Sequence, residues 1–344
     1  MPTLRPVSRW SKSLRAGSGP GGKSELKKGQ KPLTCFSASS ANSAVNEMKP
    51  ELQFFIGKGG VGKSTTSAIT SVHLSRNSRD ILLVSMDPAH NQRDIFQQDF
   101  GEKPQRVANH LVVKEVDVDY WIEKYLKETE RTIKQTYSYE SAFNLQNYFN
   151  VLQFSPGLEE YALLLAFENI IHTFEDQDII IFDMAPTALT LRFFSLPFIT
   201  LIWLEELLKL RDQIYAKKEI ISKIKIGRKQ IEQDKVKAKL EFLIKQYEHL
   251  RDHFKSDAAK INLVMNTDKL SFSEAFRIKK KLMDIGIQIE SVLVNKSNSK
   301  ALPDEVRDEF KNQKITPFPF SSKNIIGFKA INEYIDKNNG IFPH

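Results

Sequence analysis

The sequence predicts an α/β fold, a doubly wound and mostly parallel sheet with an inserted α-helical subdomain. Three observations carry this. Short apolar runs of strand length alternate with helix-length segments through most of the 344 residues. Two of the runs, "ILLV" and "IIIF", are apolar on both faces, as strands of a parallel sheet covered on both sides must be. The first run leads straight into "GKGGVGKS" (57–64), a glycine-rich loop followed by a helical segment.

The first strand is expected at 52–56 ("LQFFI"). The loop after it fits G-x-x-x-x-G-K-[ST]. Gly57, Gly59, Gly60 and Gly62, with Val61 among them, let backbone N–H groups turn onto a phosphate chain. Lys63 reaches the β- and γ-phosphates, the Ser64 hydroxyl suits Mg²⁺, and Thr65 is expected among the nucleotide-binding residues. The helix "STTSAITSVHLS" (64–75) presents its N-terminus to the anion. Further strands are expected at 81–86, 111–116, 178–183, 261–266 and 289–295, with helices between them. Helical patterns dominate 118–176 and 187–256, which form the inserted subdomain. In the second, Val236, Leu240, Leu243, Tyr247, Leu250 and Phe254 recur at spacings of 4, 3, 4, 3 and 4. That heptad seam packs on a neighbouring helix of the same chain or meets a partner.

Ligands of open α/β sheets bind beyond the carboxyl ends of the strands. Two acids lie there. Asp87 opens "DPAHN" (87–91), and Asp183 opens "DMAPTALTLRFF" (183–194). An aspartate in such a place holds Mg²⁺, orients an attacking water, or caps the next turn or helix.

Composition narrows the classes. The net charge is +8, but residues 1–50 carry nine Lys/Arg and two Glu, which leaves 8 − 7 = +1 for the rest. The body has no bulk basic footprint, and no nucleic-acid partner is expected. Cys35 is the one cysteine, which excludes a disulfide framework or a multi-cysteine metal site within one chain. The longest strongly apolar stretch, 193–204, is twelve residues and reads as too short to span a bilayer. Residues 1–47 read as a disordered basic extension. They are a transit peptide, a plain tail, or sequence upstream of a start at Met48. A cytoplasmic location is expected, or an organelle if they are a transit peptide. Residues 338–344 read as a tail.

Together, "GKGGVGKST", "DPAHN" and "DMAPTALTLRFF" resemble the ArsA-type ATPases, which include the arsenite-pump ATPase and the ATPases that target tail-anchored membrane proteins. The resemblance continues in "SPGLEEYALLLAF" (155–167), "LSFSEAFRIKKKL" (270–282), "VLVN" (292–295) and "TPFPFSSKNIIG" (316–327). It covers a domain of about 48–337. It implies a P-loop NTPase of the deviant Walker A class that uses ATP and Mg²⁺, hydrolyses ATP to ADP and phosphate, and works as a homodimer. Lys58 matches the family's extra loop lysine, which reaches across the dimer to the partner's nucleotide; the alternative is a solvated loop lysine. Asp87 matches the switch I aspartate that places the attacking water, and Asp183 the switch II acid near Mg²⁺. Asp268 matches an acid that touches the partner's nucleotide. Asn295 matches the asparagine that reads adenine, with Pro319 and Phe320 near the base.

There are departures. Ala188-Leu189 stand where the family usually has Gly-His, which removes a glycine from a switch loop. The Cys-x-x-Cys zinc clamp and the arsenite-binding thiols are absent, so arsenite pumping is not expected. The apolar segments 161–171 and 193–210 lie where targeting members build a groove for a client membrane helix; alternatively they only pack the subdomain. A membrane receptor is a further expected partner of a targeting ATPase. The competing readings are a ParA/MinD-like partition or assembly ATPase and a weakly hydrolysing ATP-binding relative.

Overall fold

The computed structural model describes residues 50–136, 155–225, 234–297 and 304–342, all within one compact unit, Met48–His344. The expected basic extension at 1–47 lies outside the described residues. So do 137–154 and 226–233 of the two helical regions, and 343–344 of the tail.

The elements alternate as the sequence pattern requires. β1 (Glu51–Ile56) leads to α1 (Lys63–Ser75), β2 (Ile81–Ser85) and α2 (Asn91–Phe96). β3 (Gln105–Ala108), β4 (Leu111–Glu115), α3 (Val118–Thr136) and α4 (Leu158–Thr173) follow. The middle of the chain forms β5 (Ile179–Asp183), α5 (Thr187–Lys225), α6 (Lys235–Lys255) and β6 (Ala259–Asn266). It closes with α7 (Lys269–Asp284), β7 (Ser291–Ser297), α8 (Asp304–Glu309), β8 (Lys314–Pro319) and α9 (Phe328–Lys337). The described strands make one sheet in the order β3-β4-β2-β5-β1-β6-β7-β8, parallel throughout except for β3 against β4. Because β1 is central and later strands are added on both sides of it, the loop after β1 sits at the switch point of the sheet.

All six expected strands form. Two more were not anticipated. β3 is four residues long, and Gln105 and Arg106 in it are exposed, so it lacks an apolar alternation. β8 carries Pro317 and Pro319 and lies at the sheet edge, where a missing N–H costs no ladder bond.

Each face of the sheet has its own core. On one, α1, α2 and α9 cover Phe55, Leu83, Ile181 and Val264. On the other, Phe54 and Phe182 meet Phe167 of α4, Phe193 and Phe194 of α5 and Phe254 of α6, with ring centroids 5.1–6.0 Å apart. All six rings are at most 1% exposed, and burying each contributes roughly 1.5–3 kcal/mol. The cluster fastens the base of the helical layer to the strands that end at the site.

α5 corrects one expectation. The twelve-residue apolar stretch is part of a 39-residue helix. Its segment Thr187–Lys217 is long and apolar enough to cross a membrane, by length and composition alone, and 33% of its apolar window is buried. Ser195, Pro197 and Thr200 interrupt the apolar run without ending the helix. The heptad seam of α6 packs on its own chain: α6 lies against α5, and Leu250 and Phe254 are buried while Val236 is exposed.

Candidate active site

The register of the sheet sets the site. Asp183 pairs with Phe55 on one side and with Ser85 on the other, and Ser85 pairs with Glu115. β1, β5, β2 and β4 therefore end level, and the loops leaving them converge on one edge.

The loop after β1 is pressed against β6 and β7. Gly57 has φ 151°, and a Cβ there would run into the Val264 carbonyl oxygen. Gly62 has φ 94°, and a Cβ there would run into Asn295 Nδ2. Asn295 Nδ2 donates to the Val61 carbonyl at 2.8 Å, which holds the loop to the end of β7. Only glycine meets both demands at these positions, positive φ and close approach. Among the described residues no side chain caps α1, so its first N–H groups are left for a ligand at the cleft.

Lys63 folds back over the loop and donates from Nζ to the Lys58 carbonyl at 3.4 Å. Burial lowers its pKa, and the carboxylates of Asp183 and Asp87 oppose that shift. The cleft in front of the loop holds about 880 Å³. Gly59, Gly60, Gly62, Lys63, Ser64, Thr65, Asp87, Asn295, Pro319 and Phe320 all line it. Gly57 and Val61 shape the loop from behind instead. Lys58 is exposed and does not line the cleft of its own chain. Asp268 does not line it either; it caps α7 by accepting from the Ser271 N–H at 2.9 Å.

Asp183 is fully buried behind the cleft. Its Oδ2 accepts from Gln92 Nε2 at 2.9 Å, and the Ser64 hydroxyl is near enough to favour the charged carboxylate. Its Oδ1 has no partner among the described residues. Burial pushes its pKa up to about 6, with Asp87 adding to the rise and Ser64, Gln92 and Lys63 opposing it. A buried carboxylate oxygen without a partner, next to a hydroxyl and beside an anion-binding loop, fits Mg²⁺. That ion takes one or two carboxylates and completes its shell with phosphate and water. Asp87 is 6% exposed and accepts from the Ala89 N–H at 3.0 Å, so it orders its own turn and also faces the cleft.

Two residues that sequence reasoning missed complete the shell. Gln92, in the first turn of α2, is buried and reaches Asp183. Glu115, at the end of β4, accepts from the Arg93 N–H at 3.1 Å and lies 3.6 Å from His90 Nδ1. Burial raises the pKa of Glu115, against its bonds from the Arg93 and Gln92 N–H groups and the proximity of His90 and Arg93. Lys296 and Lys323, also unforeseen, add two cations to the cleft wall. Ala188 and Leu189 fall in the first turn of α5, where the Leu189 N–H donates to the Pro186 carbonyl at 3.1 Å.

The family model described as anion-transporting ATPase matches residues 51–317, more than half of the chain. The chain belongs to the ArsA-type ATPase family. Among this family, it is similar to the putative arsenical pump-driving ATPase 2 of Aquifex aeolicus, at 27% identity over 82% of this chain and 96% of that protein. It is 32% identical to the ATPase ASNA1 homolog of Entamoeba histolytica, over 70% of this chain and 75% of the relative. It is 29% identical to the ATPase GET3 of Komagataella phaffii, over 74% and 75%. In this ArsA-type ATPase the phosphate loop and the strand-end acids lie at one edge of a mostly parallel eight-stranded sheet.

Proposed function

We propose that this ArsA-type chain is a Mg²⁺-dependent ATPase that switches as a homodimer and holds an apolar helix of a client membrane protein. One observation carries the reading. α5 starts at Thr187, next to the cleft-lining Pro186 and four residues after Asp183. The same helix then exposes Ile199, Ile202, Trp203, Leu207, Leu210 and Ile214. Trp203 is 66% exposed, and the spacing of the six makes a stripe along the helix. One element thus joins the cleft wall at Pro186 to an apolar surface suited to a helix.

The residues divide the work. Backbone N–H groups of the loop and Lys63 hold the triphosphate, and Ser64 and Asp183 hold the metal. Mg²⁺ held there would supply positive charge to the phosphate chain. Asp87 faces the cleft and orients a water for in-line attack on the γ-phosphate. Lys58, outside its own cleft, is free to neutralise charge on a partner's nucleotide, in the manner of an arginine finger. Asn295 spends one N–H on Val61 and one lone pair on the Lys296 N–H. It keeps one donor and one acceptor for the edge of an adenine. Phe320 offers an exposed ring at the same end.

Phosphate release from ATP tests the enzyme half of this reading. The full chain is expected to release phosphate with Mg²⁺ and not with EDTA, and Lys63→Ala is expected to release none. Nucleotide binding without any release would instead support the weakly hydrolysing relative.

A further inference from the structure

We infer that Gln92 is a positioning residue for the metal-binding carboxylate of the ATPase site, fixing which oxygen of Asp183 is presented to Mg²⁺. This rests on the Mg²⁺-dependent reading above. The Gln92 side chain is completely buried, and its Nε2 lies within hydrogen-bond reach of three acceptors. These are Asp183 Oδ2 at 2.9 Å, the Ser64 carbonyl at 3.1 Å and Ser67 Oγ at 3.2 Å. The Ser67 hydroxyl itself donates to the Ser64 carbonyl at 2.9 Å, which turns its lone pairs toward the amide. The amide therefore ties together α2, the start of α1 and the end of β5.

A primary amide is a costly choice for that position. Gln92 Oε1 has no partner among the described residues, and an unmet buried acceptor is destabilising. A leucine or methionine would fill the same space without the penalty. What the amide adds is a donor aimed at one carboxylate oxygen. With Oδ2 held, Oδ1 is the oxygen left without a partner, and it is the one available to a cation.

Gln92 follows Asp87 by five residues, in the short helix that begins after the Asp87 turn, and Glu115 fixes the start of that helix by accepting from the Arg93 N–H.

The experiment is a binding titration on the full chain. A fluorescent, non-hydrolysable ATP analogue is bound in EDTA, then titrated with Mg²⁺, for wild type and Gln92→Leu. Gln92→Met is carried in parallel and stands in if the leucine variant does not fold. The expected result is that the Mg²⁺ concentration for half-maximal effect rises about tenfold, as for loss of a partner behind a metal ligand, while affinity in EDTA stays within about twofold. A Mg²⁺ midpoint within twofold of wild type overturns the inference. So does a loss of affinity in EDTA as large as the rise in the midpoint, which a purely structural role would give. A wild type whose affinity does not respond to Mg²⁺ at all overturns the metal reading itself, and is seen before any variant is compared.

Discussion

Lys58 and Lys63 lie five residues apart in one loop and have opposite surroundings. Lys63 is 5% exposed and faces two carboxylates, whereas Lys58 is exposed and outside the cleft. If one serves the chain's own nucleotide and the other a partner's, Lys58→Ala abolishes ATP turnover although it removes nothing from its own cleft. Asp87→Asn also abolishes turnover but still binds ATP, because the isosteric amide keeps the turn and loses only the charge that orients water. Phosphate release and equilibrium binding read both, and near-normal turnover in both variants would sink the assigned roles. Gly62→Ala places a Cβ against Asn295 at a positive φ. It is expected to destabilise the chain by at least about 1–2 kcal/mol in urea unfolding, the cost of a left-handed backbone for a non-glycine residue. An unchanged midpoint would contradict the close seating of the loop on β7. The loop residues were legible because their spacing is itself the mechanism. Gln92 was not, since nothing in "NQRD" separates a buried amide from a solvated one; only the register that puts Asp183 beside α1 and α2 reveals it.

At the scale of elements, the central strands were legible because burial on both faces demands unbroken apolar runs. The edge strands β3 and β8 were not, because an edge tolerates polar residues and proline. The heptad in α6 showed a seam without showing its partner; tertiary packing decided that it faces α5. The helical layer also carries an electrostatic penalty that no pattern predicts. Glu168 on α4 has its pKa raised from 4.5 to about 7 by burial. A carboxyl with a raised folded-state pKa costs nothing below its unfolded value, and its penalty grows as pH rises from about 4.5 to 7. Glu168→Gln is therefore expected to raise the free energy of unfolding at pH 8, by an amount on the order of 2–3 kcal/mol and with a higher Tm, and to give no gain near pH 4.5. Equal gains at both pH values would contradict a buried, ionising Glu168. On α5, Trp203→Asp changes an exposed position, so ATP hydrolysis and Tm stay near wild type while binding of an apolar helix is lost. A fall in Tm of more than a few degrees would mean that the stripe is part of the fold's own packing.

At the scale of the molecule, the sheet gathers the nucleotide groups on one edge, and α5 carries the end of β5 outward to an apolar surface. Movement of the Asp183 strand end on ATP binding would be transmitted along a single helix whose base is locked by the phenylalanine cluster. Coupling between nucleotide state and the apolar stripe is the central claim, and one measurement tests it most directly. The full chain carrying Asp87→Asn is mixed with a protein bearing a single C-terminal transmembrane helix and passed over size exclusion, with Mg-ATP or with Mg-ADP. The account predicts a soluble complex with ATP and none with ADP. A dimer that forms on ATP yet captures no helix, or capture that ignores the nucleotide, would contradict it.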